Sequence, residues 1–349
     1  MEVYYIGLFI FTILWIVMAK GKGTENAERQ GLWCLCAWLI LSLIEGLRSF
    51  DIGTDTSMYA YLFATDGMDS FESGFQGLGK FVHVMANDPT FFLLTISLIT
   101  NGLVIFSIYR ISSQPYISVF CYMTLYYYFQ SFNAMRQYIA IGMILVAYSF
   151  LRQSKFIKYF IGVFAAMLFH NSAIVGFLLL PYHFIRISNK GSMNILRSLI
   201  FPFVIGGIVT ISFNFGLNLL VAIFPKYAVY LQMAEYFEGI DVLQQIVINS
   251  FIFLAYTLLT DDREFILPLG TAVALSFMIS SVGMLSRFVW FFDIFSIFAI
   301  ARIWNTNLFE VRSKFFLRCA IIFSCLSFMT YYLYMNVMRV ANYSFSILK

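Results

Sequence analysis

The sequence predicts an all-α, polytopic integral membrane protein with about 12 transmembrane helices. Three observations carry that prediction. Of the 349 residues, 61% are hydrophobic and 11% charged, where a soluble domain carries about 25% charged residues. Apolar runs of the length a helix needs to cross a bilayer, roughly 17–21 residues, recur along the whole chain. The 41 Phe and 22 Tyr suit helix packing and the aromatic belts at membrane interfaces.

Taken in order, the expected spans are about 3–19, 31–47, 89–109, 115–132, 135–151, 156–170, 171–185, 195–213, 242–260, 265–281, 285–303 and 315–335. The pairs 115–151 and 156–185 read as tight hairpins. The run 214–224 is apolar but is ended by Pro225, which suits an interfacial segment. Met1 to Ala19 lacks the basic segment that opens a cleaved signal peptide, so it reads as the first span. No repeat or soluble second domain is visible, so residues 1–349 read as a single transmembrane domain. The five Cys lie inside apolar runs, at spacings that suit packing rather than metal ligation.

Basic residues set the orientation. With the N-terminus outside, fifteen of the 22 Lys and Arg fall at cytoplasmic loops or helix ends. Seven stay outside: Arg48, Lys80, Arg136, Lys226, Arg287, Arg339 and Lys349. Segments 48–88 and 214–241 then become extracytoplasmic loops. The first is acidic, with Asp51, Asp55, Asp66, Asp69, Glu72 and Asp88. The second offers a short amphipathic helix over 227–237. A net charge of +4 is too small to point to nucleic acid.

Three outside arginines sit close to span ends, although an arginine at a helix centre costs about 2.5–3.5 kcal/mol on insertion scales. Arg48 ends the second span, Arg136 lies in the turn at 130–137, and Arg287 lies in 280–288. The ordinary reading of each is snorkelling to headgroups. Three on one side, each beside polar residues, favours binding of an anion. The guanidinium fork matches phosphate oxygens, so a lipid-linked phosphate or pyrophosphate is the expected ligand.

The loop after Arg48 reads Asp51-Ile-Gly-Thr-Asp-Thr-Ser-Met-Tyr59. Gly53 allows a tight turn, and Thr54 and Asp55 can bond locally. Its ordinary reading is a helix cap before Ser57. Its functional reading is a carboxylate, Asp55, held near Arg48 to accept a proton or bind sugar hydroxyls. His170, in Leu-Phe-His-Asn-Ser, falls on the same side, and an imidazole can act as a base or donate to an anion. His83 and His183 have no supporting pattern. Three scattered His do not build a metal site, no phosphate-binding GxxxxGK[ST] loop is present, and no cofactor is expected.

Four pieces in order carry a family resemblance: Leu-Arg-Ser-Phe-Asp-Ile-Gly-Thr-Asp-Thr-Ser-Met-Tyr at 47–59, Phe-Asn-Ala-Met-Arg-Gln-Tyr-Ile-Ala at 132–140, Met-Leu-Phe-His-Asn-Ser-Ala at 167–173, and Ser-Arg-Phe at 286–288. Together they resemble the EpsG family of bacterial polysaccharide polymerases, related in role to the Wzy-type O-antigen polymerases. The resemblance spans roughly residues 1–335. It implies a multi-span, C-type glycosyltransferase that inverts configuration and joins oligosaccharide repeat units carried on undecaprenyl pyrophosphate. The work would be done at the periplasmic face of the bacterial inner membrane, releasing undecaprenyl pyrophosphate. A chain-length regulator and a flippase are the implied partners, beside the lipid-linked substrate and membrane lipids.

On that reading Arg136 and Arg287, with Arg48, bind the pyrophosphate and neutralise the charge that builds as its bond breaks. Asp55 or His170 takes the proton of the acceptor hydroxyl. Gly53, Thr54, Tyr59, Gln137 and Asn171 support them, and Tyr59, Tyr61 and Tyr227 meet sugars. Rival readings are a flippase or transporter of lipid-linked oligosaccharide, a membrane acyltransferase using His170, and a scaffold. A transporter needs polar residues at mid-depth, for which Glu45 and Asp293 are the visible candidates.

Overall fold

The computed structural model describes residues 1–19, 27–181, 239–279 and 286–346. The described residues are helical, with no strands and one isolated antiparallel bridge between Arg48 and Phe345. They divide into two compact units, Met1–Ile174 with Phe309–Lys349, and Val175–Leu308.

The first unit begins with α1 (Glu2–Ala19) and α2 (Ala27–Gly46). Short helices α3 (Thr56–Ala64) and α4 (Ser73–Met85) precede α5 (Pro89–Ile111). Next come α6 (Pro115–Thr124), α7 (Tyr127–Ser131), α8 (Met135–Leu151) and α9 (Phe156–Met167). A 3₁₀ stretch, Asn171–Leu179, follows. The second unit holds α10 (Gly239–Leu259), α11 (Ile266–Ile279), α12 (Ser286–Asp293) and α13 (Ser296–Trp304). The last helix, α14 (Val311–Tyr334), belongs to the first unit and packs on α6.

Helix α5 shows how the sequence writes such an element. Asp88 caps it by accepting from the Thr90 and Phe91 amides at 2.6 and 3.3 Å, and Pro89 occupies the first turn, where no amide is needed. Its 23 residues rise about 35 Å, enough to cross a hydrocarbon core of about 30 Å. Among the described residues, α5 and α14 are the helices both long and apolar enough to span by themselves. Shorter apolar helices cover Glu2–Ile16, Met135–Leu151, Phe156–Met167, Gln245–Leu259 and Ile266–Phe277. Large apolar side chains face outward on many helices, among them Phe9, Ile161, Phe251, Leu258 and Phe323. Water would not tolerate that surface, and lipid does.

Several expected spans take another form. The run 115–132 breaks into α6 and α7 because Tyr126 adopts a left-handed φ of 75°. Its hydroxyl donates to the Val337 carbonyl at 2.8 Å, which helps hold that conformation. The run 285–303 divides into α12 and α13. Within 171–185 the described part is 3₁₀ rather than α, and the span 195–213 lies outside the described residues. So do the loop at 214–238 and its expected amphipathic helix.

Segment 48–88 is not an open polar loop. It folds as α3, a 3₁₀ turn (Met68–Ser70) and α4, which lay an apolar underside on α5 and α8. Tyr59, Phe63, Met68, Phe75 and Val82 pack there with Phe92, Leu93, Ile96, Met135 and Ile139. Phe75, Gly79 and Val82 recur at helical spacing on the buried face of α4. This packing fixes the direction from which the segment's polar residues approach the ends of α8 and α9.

Candidate active site

Two polar clusters sit under and beside that segment. The first is centred on Arg48, just past α2 and only 1% exposed. Its Nη1 donates to the Glu45 carbonyl and its Nη2 to the Phe132 carbonyl at 2.9 Å. Nη2 and Nε also point at Thr56 Oγ1, at 3.2 and 3.4 Å, and the guanidinium lies 4.6 Å from the Phe132 ring centroid. Arg48 is thus an internal clasp between the end of α2, the start of α3 and the turn after α7. The guanidinium is turned to protein groups rather than outward to a ligand. The expected pairing of Asp55 with Arg48 is not made among the described residues, because those protein groups already take up the guanidinium's donors.

Beside the clasp, the Glu45 carboxylate accepts from Asn101 Nδ2 at 2.6 Å and Ser131 Oγ at 2.9 Å. Glu45 is 1% exposed. A buried carboxylate needs such donors to be tolerated, so Glu45 is accounted for as part of the scaffold.

Asn133 ties the Gly-Thr-Asp turn to the turn before α8. Its Oδ1 accepts from the Thr54 amide at 2.5 Å, from the Asp55 amide at 3.2 Å and from Thr54 Oγ1 at 3.1 Å. Gly53 sits at φ +96°, and a Cβ there would stand 2.8 Å from Asn133 Oδ1 and 2.6 Å from Thr56 Oγ1. Only glycine meets both demands. Asp55 occupies the N-cap position of α3, yet its side chain makes no cap hydrogen bond. The capping reading of that residue is therefore corrected. Asp55 and Tyr59 are one helical turn apart and share a face of α3.

The second cluster is centred on Glu72, which by sequence is one of six acidic residues of segment 48–88. Glu72 stands at the N-cap position of α4 but does not cap its helix. Its Oε2 instead forms an ion pair with Arg136 Nη1. Its Oε1 takes His170 Nδ1 at 3.1 Å and the Asn171 amide at 3.3 Å. Arg136, in the first turn of α8, also donates Nε to the Tyr59 hydroxyl at 3.2 Å and stacks 4.3 Å from the Phe71 centroid. His170, just past the end of α9, is 9% exposed.

The two helix ends are brought into register by Gly74, whose amide donates to the Leu168 carbonyl at 2.8 Å. A Cβ at Gly74 would meet that oxygen at 2.7 Å. Burial disfavours the charge on Glu72 more than any other single influence. The His170 hydrogen bond and the Arg136 charge, with a backbone hydrogen bond, together outweigh it and hold the Glu72 pKa at about 2. The carboxylate is therefore ionised and acts only as an acceptor. An open pocket of about 680 Å³ adjoins this cluster, lined by Glu72, Ser73 and Asn171 together with Ile161, Phe164 and Leu168.

The fold thus brings together residues from three of the four sequence pieces. Arg48 meets the Arg136 turn at the Phe132 carbonyl, Thr54 and Asp55 beside Gly53 meet it at Asn133, Tyr59 meets Arg136 itself, and Arg136 meets His170 and Asn171 through Glu72. Gln137 is buried beside them in α8. Tyr59 is also buried, with its hydroxyl on Arg136, so it supports an arginine rather than facing a sugar; Tyr61 is 67% exposed. Arg287 is exposed in the first turn of α12, in the second unit. His83 packs against Phe63 with ring centroids 5.5 Å apart and planes tilted by 58°, while His183 and Tyr227 lie outside the described residues.

Fold and site define the class as an all-helical membrane protein that carries a charged cluster at the ends of packed helices. Residues 31–345 match the family model of the EpsG family, and the chain belongs to that family. No curated protein and no solved structure matches it. Family membership fits a membrane protein of polysaccharide biosynthesis, with a polymerase-like role.

Proposed function

We propose that the protein is a polysaccharide polymerase, an inverting glycosyltransferase acting on polyprenyl-pyrophosphate-linked repeat units at the outer face of the bacterial inner membrane. The observation that carries this reading is the convergence of Arg136 and His170, from distant parts of the chain, on the Glu72 carboxylate, with Tyr59 of α3 on Arg136. A single displacement at an anomeric carbon needs two things of a protein. It needs a proton acceptor for the incoming hydroxyl and positive charge for the departing pyrophosphate.

Arg136 supplies that charge where the helix dipole at the start of α8 also favours an anion. Its Nη2 has no partner among the described residues. Arg48 shapes the Gly-Thr-Asp turn. Either Asp55 or His170 accepts the proton. Undecaprenyl pyrophosphate is the product released.

The test is purified protein in lipid nanodiscs given lipid-linked repeat units and no nucleotide. A ladder of longer products is expected from the wild type, and none from Arg136→Ala. Movement of unmodified lipid-linked sugar between leaflets with no ladder would favour the transporter instead.

A further inference from the structure

Three groups share the Glu72 carboxylate. Oε2 holds Arg136 Nη1, while Oε1 meets His170 Nδ1 at 3.1 Å and the Asn171 amide at 3.3 Å. An ionised carboxylate has no hydrogen to give, so the hydrogen in the His170 contact must sit on Nδ1. When the ring is neutral, its lone pair is then on Nε2. Nε2 has no partner among the described residues.

We infer that Glu72 is a positioning residue: it aims the Arg136 guanidinium with one oxygen, and with the other it fixes His170 as the Nδ1–H tautomer, leaving Nε2 as the proton acceptor. The role in catalysis rests on the polymerase reading. There the acceptor hydroxyl gives its proton to His170 Nε2 as its oxygen bonds to the anomeric carbon. The bond from that carbon to the pyrophosphate breaks, and its electron pair leaves on the phosphate oxygen beside Arg136. One carboxylate thereby sets the spacing between proton acceptor and leaving-group ligand, which must match for the two events to coincide. Asp55 is then left to bind acceptor hydroxyls.

The tautomer can be read without any substrate. The chain has 3 His, so ¹⁵N-histidine NMR of the full-length protein in nanodiscs is tractable, with His83→Gln and His183→Gln giving the assignments. In the neutral ring, the expected His170 signal has Nδ1 protonated and Nε2 bare. Glu72→Ala should lose that preference, while Arg136→Ala should keep it. A wild-type Nε2–H tautomer, or an unchanged tautomer in Glu72→Ala, overturns the inference, and the wild-type spectrum decides even if the variant does not fold.

The kinetic arm expects Glu72→Ala to lower kcat about 10²-fold, the contribution of a positioned general base, with KM for the acceptor moved far less. A ladder missing from the wild type would sink the polymerase reading and leave the tautomer result standing. A normal kcat in Glu72→Ala would overturn the positioning role itself.

Discussion

The Gly53 amide donates to the Arg339 carbonyl at 2.9 Å, joining the Gly-Thr-Asp turn to the last residues of the chain. The tail makes further contacts of this kind. The Ser49 amide donates to Ser344 at 2.8 Å, and the Ser346 amide to Leu47 at 2.9 Å. Asn133 Nδ2 donates to Met338 at 3.3 Å, and Tyr4 donates its hydroxyl to Val340 at 2.7 Å. Met338 and Arg339 hold left-handed φ values of 60° and 56°, which such partners sustain. Gly53→Ala should destabilise the protein by about 1–3 kcal/mol, the usual cost of a strained backbone position. Thermal unfolding in detergent would register it, and an unchanged midpoint would contradict the assigned role of the turn.

Arg48 and Arg136 should fail in different ways. Arg48→Ala removes the clasp and leaves the Phe132 carbonyl and the Glu45 carboxylate buried beside an empty site. A cost of about 3–5 kcal/mol is expected, as for breaking a buried charge cluster, and little folded protein should be recovered on size exclusion. Arg136→Ala should fold, and lose chain growth. A stable Arg48→Ala protein that binds lipid-linked substrate weakly would return Arg48 to the ligand set.

Acid should weaken the link between α4, α8 and α9. The folded-state pKa of Glu72 is depressed from 4.5 to about 2. The stability it contributes is therefore fully present above about 4.5 and is lost as pH falls through about 2. Unfolding midpoints of the wild type should fall across that window more steeply than those of Glu72→Gln. Parallel curves would show that the carboxylate is not held as the structure has it.

Asp55 and His170 should separate kinetically. Asp55→Asn is expected to raise KM for the acceptor while kcat stays within about threefold, the signature of lost uniform binding. His170→Ala should lower kcat about 10²-fold or more. A collapse of kcat in Asp55→Asn as large as that in His170→Ala would make Asp55 the base.

The orientation is open to a simple reporter experiment. Fusions that report periplasmic or cytoplasmic location, placed in the turn at 132–134, should read periplasmic, as the distribution of Lys and Arg implies. A cytoplasmic reading would remove the outer face from the proposal.

Much of this protein follows from composition and spacing. Charge scarcity and apolar runs fix an all-helical membrane protein, because only a helix satisfies its own backbone polar groups within one chain segment in lipid. The same patterns mark Arg136, His170 and the Gly-Thr-Asp turn as unusual. Three kinds of feature were not legible. Tyr126 breaks an apolar run through a left-handed backbone that hydropathy does not register. The folding of 48–88 depends on Phe63, Phe75 and Val82 finding Phe92 and Ile139 across the chain. Glu72 looked like any other loop acid, since nothing in its local sequence announces a partner at 136 or 170.

What the sequence determined by itself was therefore the solvent, the helical class and a short set of misplaced charges, all of them local or averaged properties. Tertiary structure decided which of those charges are spent inside the fold and which lie beside an open pocket. Arg48 and Arg136 read alike in sequence, but one is closed in by carbonyls, and the other is shared with Glu72 beside an open pocket. The physical reason is that a charge's role depends on which donors and acceptors surround it, and here those come from residues far apart in the chain.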